Sequence, residues 1–215
     1  IFNGFQTTTS DGNGNITGGK LGGSKGLRGG RQKGAKSNFN HANFSTKVDY
    51  YGISGLRLGM SGYFGRTQSP NDVEDIDGAD IGMAMFGLDA RYSKQRFSAR
   101  GQYITASLSD TKAYNEATGK DLGSSLRGWY AEAAYNLLAL DKEQQLISFV
   151  RYEDYNTHAA TEGTLAKNGK YDRQEWTLGL SYKIAPGAVV KADYQLKDDA
   201  VNSNKKQLNF GIGVW

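Results

Sequence analysis

The chain has 215 residues, 38% of them hydrophobic and 12% aromatic, with 29 glycines, 13 tyrosines, 2 prolines and no cysteine. A mean hydropathy of −0.60, with no run of about twenty apolar residues, excludes a helical membrane protein, and the missing cysteine excludes a disulfide-stapled fold or a thiolate metal site. The formal charge of +4, from 26 Lys+Arg against 22 Asp+Glu, permits nucleic-acid binding without arguing for it, so the placement of charge must decide.

The opening IFNGFQ reads as a partial strand over 1–6 that begins inside its own pattern, without methionine or signal peptide, as expected of a processed, truncated or partial chain. A long connection over 7–39 follows. Within it, Gly18 to Lys36 carries six cations (Lys20, Lys25, Arg28, Arg31, Lys33 and Lys36), eight glycines and no acid. Glycine would let such a segment fold into an opening, where its charge would attract anions; the alternative is a solvated loop against a phosphate-rich surface. A phosphate-binding P-loop fails, because GGRQKG lacks the spacing and the Ser/Thr after lysine.

From there a two-residue period recurs. In FSTKVDY, Phe44, Thr46, Val48 and Tyr50 alternate with Ser45, Lys47 and Asp49. The pattern predicts strands near 40–52, 55–67, 81–94, 97–109, 125–138, 145–157, 172–184, 188–198 and 205–215, ten with the partial first one. SARGQYITAS and LISFVRYED fit poorly, having apolar residues on both faces. Between the strands lies SPNDVEDIDGAD, a carboxylate cluster without the twelve-residue ligand set of an EF-hand, best read as a bare acidic loop.

The connections alternate in length: short at 52–55, 94–96, 139–144 and 185–187, long at 7–39, 68–80, 110–124 and 158–171. Soluble sandwiches have no reason to sort their turns this way, whereas outer-membrane barrels have short periplasmic turns and long external loops. Aromatic residues near the predicted strand ends (Tyr50, Phe64, Tyr92, Trp129, Tyr182) suit membrane interfaces. The expected fold is therefore all-β: a single antiparallel transmembrane β-barrel domain over 1–215, incomplete on its N-terminal side.

If the oily set faces lipid, the other parity puts Lys47, Arg57, Arg91, Arg100, Arg151, Lys183, Lys191 and Lys197 inside, with Asp49, Asp89, Glu132, Glu153, Glu175 and Asp193. Pairs two apart, Lys47/Asp49, Asp89/Arg91, Arg151/Glu153 and Lys191/Asp193, suggest ion pairs along a wet wall or a transverse field acting on polar solutes. A weakly selective channel with no cofactor is the expectation. Enzymatic barrels are the alternative, but the two histidines, His41 and His158, offer only Asp154 with His158 as a dyad, and no serine is marked as a nucleophile. A scaffold or accessory barrel of a larger surface complex is a third class.

The ending KKQLNFGIGVW puts Leu208, Phe210, Ile212 and Val214 on one face, and it resembles the closing strand of bacterial outer-membrane barrels, which end on an aromatic residue of that face. Trp215 has the wrong parity, so a further aromatic after it is expected. LRGGRQKG, FSTKVDYYGISGLRLGMSGYFG, Asn3-Gly4, VRYEDYN and APGAVVKADYQ resemble segments of the phosphate-selective porin O and P family of Bacteroidota. That resemblance implies a Gram-negative outer-membrane porin of about sixteen strands, commonly trimeric, of which this chain is the C-terminal portion. The partners implied are lipid and lipopolysaccharide, the barrel assembly machinery and small polar or anionic solutes, with no nucleic acid.

Overall fold

A computed structural model describes residues 4–32, 34 and 37–214 of the chain. The period-2 segments form a sheet of nine strands: β3 (Phe44–Ile53), β4 (Leu56–Arg66), β5 (Gly82–Lys94), β6 (Phe97–Ser109), β7 (Ser125–Asn136), β8 (Gln145–Ala160), β9 (Asp172–Ala185), β10 (Ala188–Asp199) and β11 (Lys205–Val214). Each pairs antiparallel with its neighbour in chain order. Two short strands, β1 (Thr8–Ser10) and β2 (Ile16–Gly19), make a separate hairpin. The described residues contain one α-helix, α1 (Thr111–Thr118), inside the long connection 110–124.

Two expectations need correcting. The tenth strand, over 1–6, is not formed in its described part: Phe5 bridges Arg31, Gln6 bridges Gln68, and Ile1, Phe2 and Asn3 lie outside the described residues, as does Trp215. The reason is that the backbone here is bonded to connections rather than to a strand, with the Gln6 N–H bonded to Gly30 O at 2.7 Å and the Thr7 N–H to Gln68 O, just past β4, at 2.8 Å. Nor is a closed barrel present among the described residues, since β3 and β11 are unpaired edges of one open sheet.

The sheet is nonetheless curled. A single concavity of about 900 Å³ is lined by residues from β3 round to β10, which a flat sheet could not enclose. Its convex face carries the alternating apolar set, fully in contact with solvent: Val48 60%, Met60 50%, Leu178 49% and Ile212 82% exposed. A water-soluble sheet would turn these side chains toward a core. Aromatic residues band this face at two levels. Trp129, Tyr152 and Trp176 stack in succession, with ring centroids 5.3 and 4.8 Å apart, toward the long connections, and Tyr92 meets Phe97 beside a short turn.

The apolar core lies instead at the long-connection end, on the concave side. Leu21, from the connection before β3, packs with Ile81, Met83, Leu108, Tyr114 and Leu122, and Tyr63, Met85 and Leu126 lie against them. Met83 faces Leu108 and Tyr63 faces Met85 in the register, so the inner wall itself supplies one side of this cluster. At the end of β6, Leu108 is inward and apolar because a loop covers it.

Candidate channel wall and its inserted loop

The fourteen charges expected inside share one face of the sheet by register, and nine of them line the concavity. Across the sheet the register runs Arg57–Arg91–Arg100–Glu132–Arg151, with Thr177 and Gln195 continuing the row. Directly opposed like charges destabilise a ladder unless they are compensated. Here Arg57 reaches both Asp89 and Asp49, Arg100 grips Glu132 through two nitrogens at 2.8 Å, and Arg151 meets Glu153 at 2.8 Å while its guanidinium lies 4.1 Å from the Tyr130 ring centre. Lys47 sits 3.3 Å from Asp49 and 3.7 Å from Asp89, and Lys197 sits 3.8 Å from Glu175.

Of the pairs expected two apart, Lys47/Asp49 and Arg151/Glu153 form. Asp89/Arg91 and Lys191/Asp193 do not. Asp89 turns across the strand to Arg57 and Lys47, and Asp193 accepts from Asn209 Nδ2 at 2.7 Å. Asp193 faces Asn209 directly, and Asp89 faces Gly59, whose missing side chain leaves room for the Asp89 and Asp49 carboxylates to turn toward Arg57. Arg91, Lys183 and Lys191 are left with no ion pair or hydrogen bond among the described residues.

The glycine-rich segment is placed on this wall. Leu21 is anchored through its backbone to Tyr114 of α1, whose hydroxyl donates to Leu21 O at 2.9 Å and accepts from Leu21 N at 3.0 Å. Gly23 N donates to Asp121 Oδ1 at 2.9 Å, Thr157 Oγ1 donates to Gly23 O, and Arg173 Nη1 donates to Ser24 O at 3.0 Å. Gly26 then passes beside the inward side chains of Leu126 and Thr157. The glycines here serve close approach more than freedom. A Cβ on Gly23 would meet the Tyr171 ring at 2.3 Å and His158 Nε2 at 2.5 Å, and one on Gly29 would meet Lys20 O at 2.1 Å.

Of the six loop cations, Lys20 is partly buried and donates to Gln6, its pKa lowered by burial. Lys25, Arg28 and Arg31 are exposed on the inserted segment, without an ion pair among the described residues. Lys33 and Lys36 lie outside the described residues.

Behind the loop sits a polar clasp that the sequence did not single out. Tyr171 donates its hydroxyl to Asp121 Oδ2 at 2.6 Å, and the buried His158 engages Asp121 O through Nε2 and Asn168 N through Nδ1. Both His158 ring nitrogens are therefore committed. Burial works to raise the Asp121 pKa, but the bonds from Tyr171 and Gly23, with His158 close by, hold it below the ordinary aspartate value of 3.8. Tyr171 is raised in turn by its bond to that carboxylate. Asp154 is not brought to His158; it belongs to the convex parity of β8, opposite Trp129. His41 Nδ1 lies 3.2 Å from Thr67 O and 3.5 Å from Asp80 Oδ2. The acidic loop is put to structural use: Asp72 accepts from Ser10 Oγ at 2.8 Å, and Asp80 from Arg66 Nε at 2.8 Å.

The class these features define is an all-β antiparallel sheet with an apolar outer face and a charged inner one. No protein-family model matches the chain. It is 28% identical over 180 residues to an uncharacterized protein of Aquifex aeolicus (strain VF5), the match covering 78% of this chain and 40% of that protein's length. The chain therefore spans well under half of that relative. Among solved structures, it is similar to OmpT, an outer membrane protein of Vibrio cholerae in its trimer form, with 18% identity and a TM-score of 0.49, over 98% of this chain and 74% of that one.

Proposed function

We propose that the chain is part of an outer-membrane β-barrel porin, a water-filled channel for passive diffusion of small polar solutes with a weak preference for anions. One observation carries this reading: the sheet is inverted relative to a soluble fold, with exposed leucines, valines and aromatics on its convex face and nine charged side chains around a concavity of about 900 Å³. The aromatic bands, the sorted connections and the resemblance to the phosphate-selective porin O and P family support it. In this reading the apolar face meets lipid, the long connections meet lipopolysaccharide, and upstream strands complete a barrel of about sixteen that trimerises. The dyad of His158 with Asp154 has no part in this reading, since His158 is buried with both ring nitrogens spent on the backbone.

The test is conduction. Full-length protein in planar bilayers under a KCl gradient should give discrete current steps and a reversal potential favouring chloride. Changing Lys25, Arg28 and Arg31 together to glutamine should move that potential toward cation preference, because charges within a Debye length of about 8 Å of the path are not screened out. Absence of steps overturns the channel; an unmoved potential assigns selectivity to Arg57, Arg91, Arg100 and Arg151.

A further inference from the structure

The eight inward cations divide into two groups. Lys47, Arg57, Arg100, Arg151 and Lys197 are each matched to a carboxylate, whereas Arg91, Lys183 and Lys191 are unmatched among the described residues. Five of the six inward carboxylates face a cation and the sixth, Asp193, is hydrogen-bonded by Asn209, so three unmatched cations stand against one unpaired carboxylate. Two of the unmatched three are neighbours. Lys183 faces Val189 and Lys191 faces Ser181, on either side of the short turn at 186–187, so that their charge accumulates in one half of the concavity, while Arg91 stands apart on β5.

That half is also where inward polarity fails. The β8 run LISFVRYED turns Ile147 and Phe149 inward as well as presenting Val150 outward, and no loop covers them as one covers Leu108. Phe149 stands between Ala134 and Gly179 in the register, its ring so close to the wall that a Cβ on Gly179 would meet it at 2.4 Å. Ile147 faces Ser181, which faces Lys191, and Val189 faces Lys183. Apolar surface and unmatched cations thus interleave on adjacent strands and line the same concavity.

A hydrated inorganic anion gains nothing from the apolar part of this surface, and an uncharged apolar solute gains nothing from the cations. The geometry points to a subsite at the short-turn end that takes small organic anions with an apolar body, such as aromatic or short alkyl carboxylates. The carboxylate is held by Lys183 and Lys191, and the hydrocarbon lies on Phe149 and Ile147. This rests on the channel reading for the route by which the solute arrives.

The experiment measures binding separately from conduction. Full-length protein in lipid nanodiscs is titrated with benzoate, with acetate as charge without body and benzyl alcohol as body without charge. Benzoate should bind about tenfold more tightly than either, the gain from burying part of one ring beside a cation. Lys183→Gln with Lys191→Gln should erase its advantage over benzyl alcohol, and Phe149→Ser its advantage over acetate. Ile147→Ser, a smaller excavation, serves the same purpose if Phe149→Ser fails to fold. Equal binding of the three solutes overturns the subsite even in a protein that conducts normally. Selective benzoate binding in a protein that gives no current steps leaves the subsite standing and overturns the channel.

Discussion

At the scale of single residues, position relative to the sheet decides what a substitution costs. Leu178 is half exposed on the convex face and Gln195 is inward, on the neighbouring strand. In the outer-membrane reading Leu178→Arg should destabilise the folded protein by about 2–4 kcal/mol, the depth-dependent cost of arginine against lipid, and Gln195→Arg by well under half of that. Urea-dependent folding into vesicles would compare them, and equal losses would reverse the assigned faces. Asp121 makes a second residue-level prediction. Its pKa is depressed on folding, so its stabilising contribution is complete above the ordinary value of 3.8 and is lost as pH falls through the lower folded value. Hydrogen exchange at Gly22–Gly26 should therefore accelerate below about pH 3.8, and Asp121→Asn should weaken protection at neutral pH while flattening that acid dependence. The charge pattern of the wall was legible in the same way as the strands, from parity alone. Its pairing was not, because Asp89 chooses between Arg91 on its own strand and Arg57 diagonally across on the next, and the choice turns on the room left at Gly59, which only the register sets opposite Asp89.

Among the elements, β6 could be bounded from sequence by the connections that flank it, although SARGQYITAS alternates poorly; the structure places it at Phe97–Ser109, matching the expected 97–109. Helix α1 could not. TKAYNEAT offers one large apolar side chain, Tyr114, and a helix with no apolar stripe leaves no 3.6-residue signature. What holds it is a contact with Leu21, 93 positions away, through a hydroxyl pushed up in pKa by burial. Tyr114→Phe should keep the ring and strand both backbone groups of Leu21, costing about 1–3 kcal/mol, concentrated in the inserted loop. Exchange at Leu21–Gly26 should rise by the corresponding factor while β7 and β8 remain protected. A uniform rise across the sheet would mean that α1 supports the whole fold rather than the loop. The glycine-rich segment was obscure for a related reason: its path depends on Tyr114, Asp121, Thr157 and Arg173, none of them near it in sequence.

For the molecule as a whole, the sorted connections give an orientation. In cells, cysteine placed at the exposed Lys167, in the β8–β9 connection, should react with a membrane-impermeant reagent. Cysteine at Pro186, in the short turn before β10, should react only after the outer membrane is opened. The reverse pattern would turn the protein over and make the inserted loop periplasmic.

The uninterrupted meander from β3 to β11 has a consequence in counting. Each successive strand reverses direction, so with nine strands the first and the last point the same way. Curling this sheet until its own edges met would join β3 to β11 as a parallel pair, without the hairpin alternation that every other seam obeys. A cylinder with antiparallel seams throughout requires an odd number of further strands inserted between those edges, and a total of about sixteen, if it is even, meets that condition. Sealed on itself, this sheet would carry one parallel seam; in the proposed porin it is instead an arc of a wider tube.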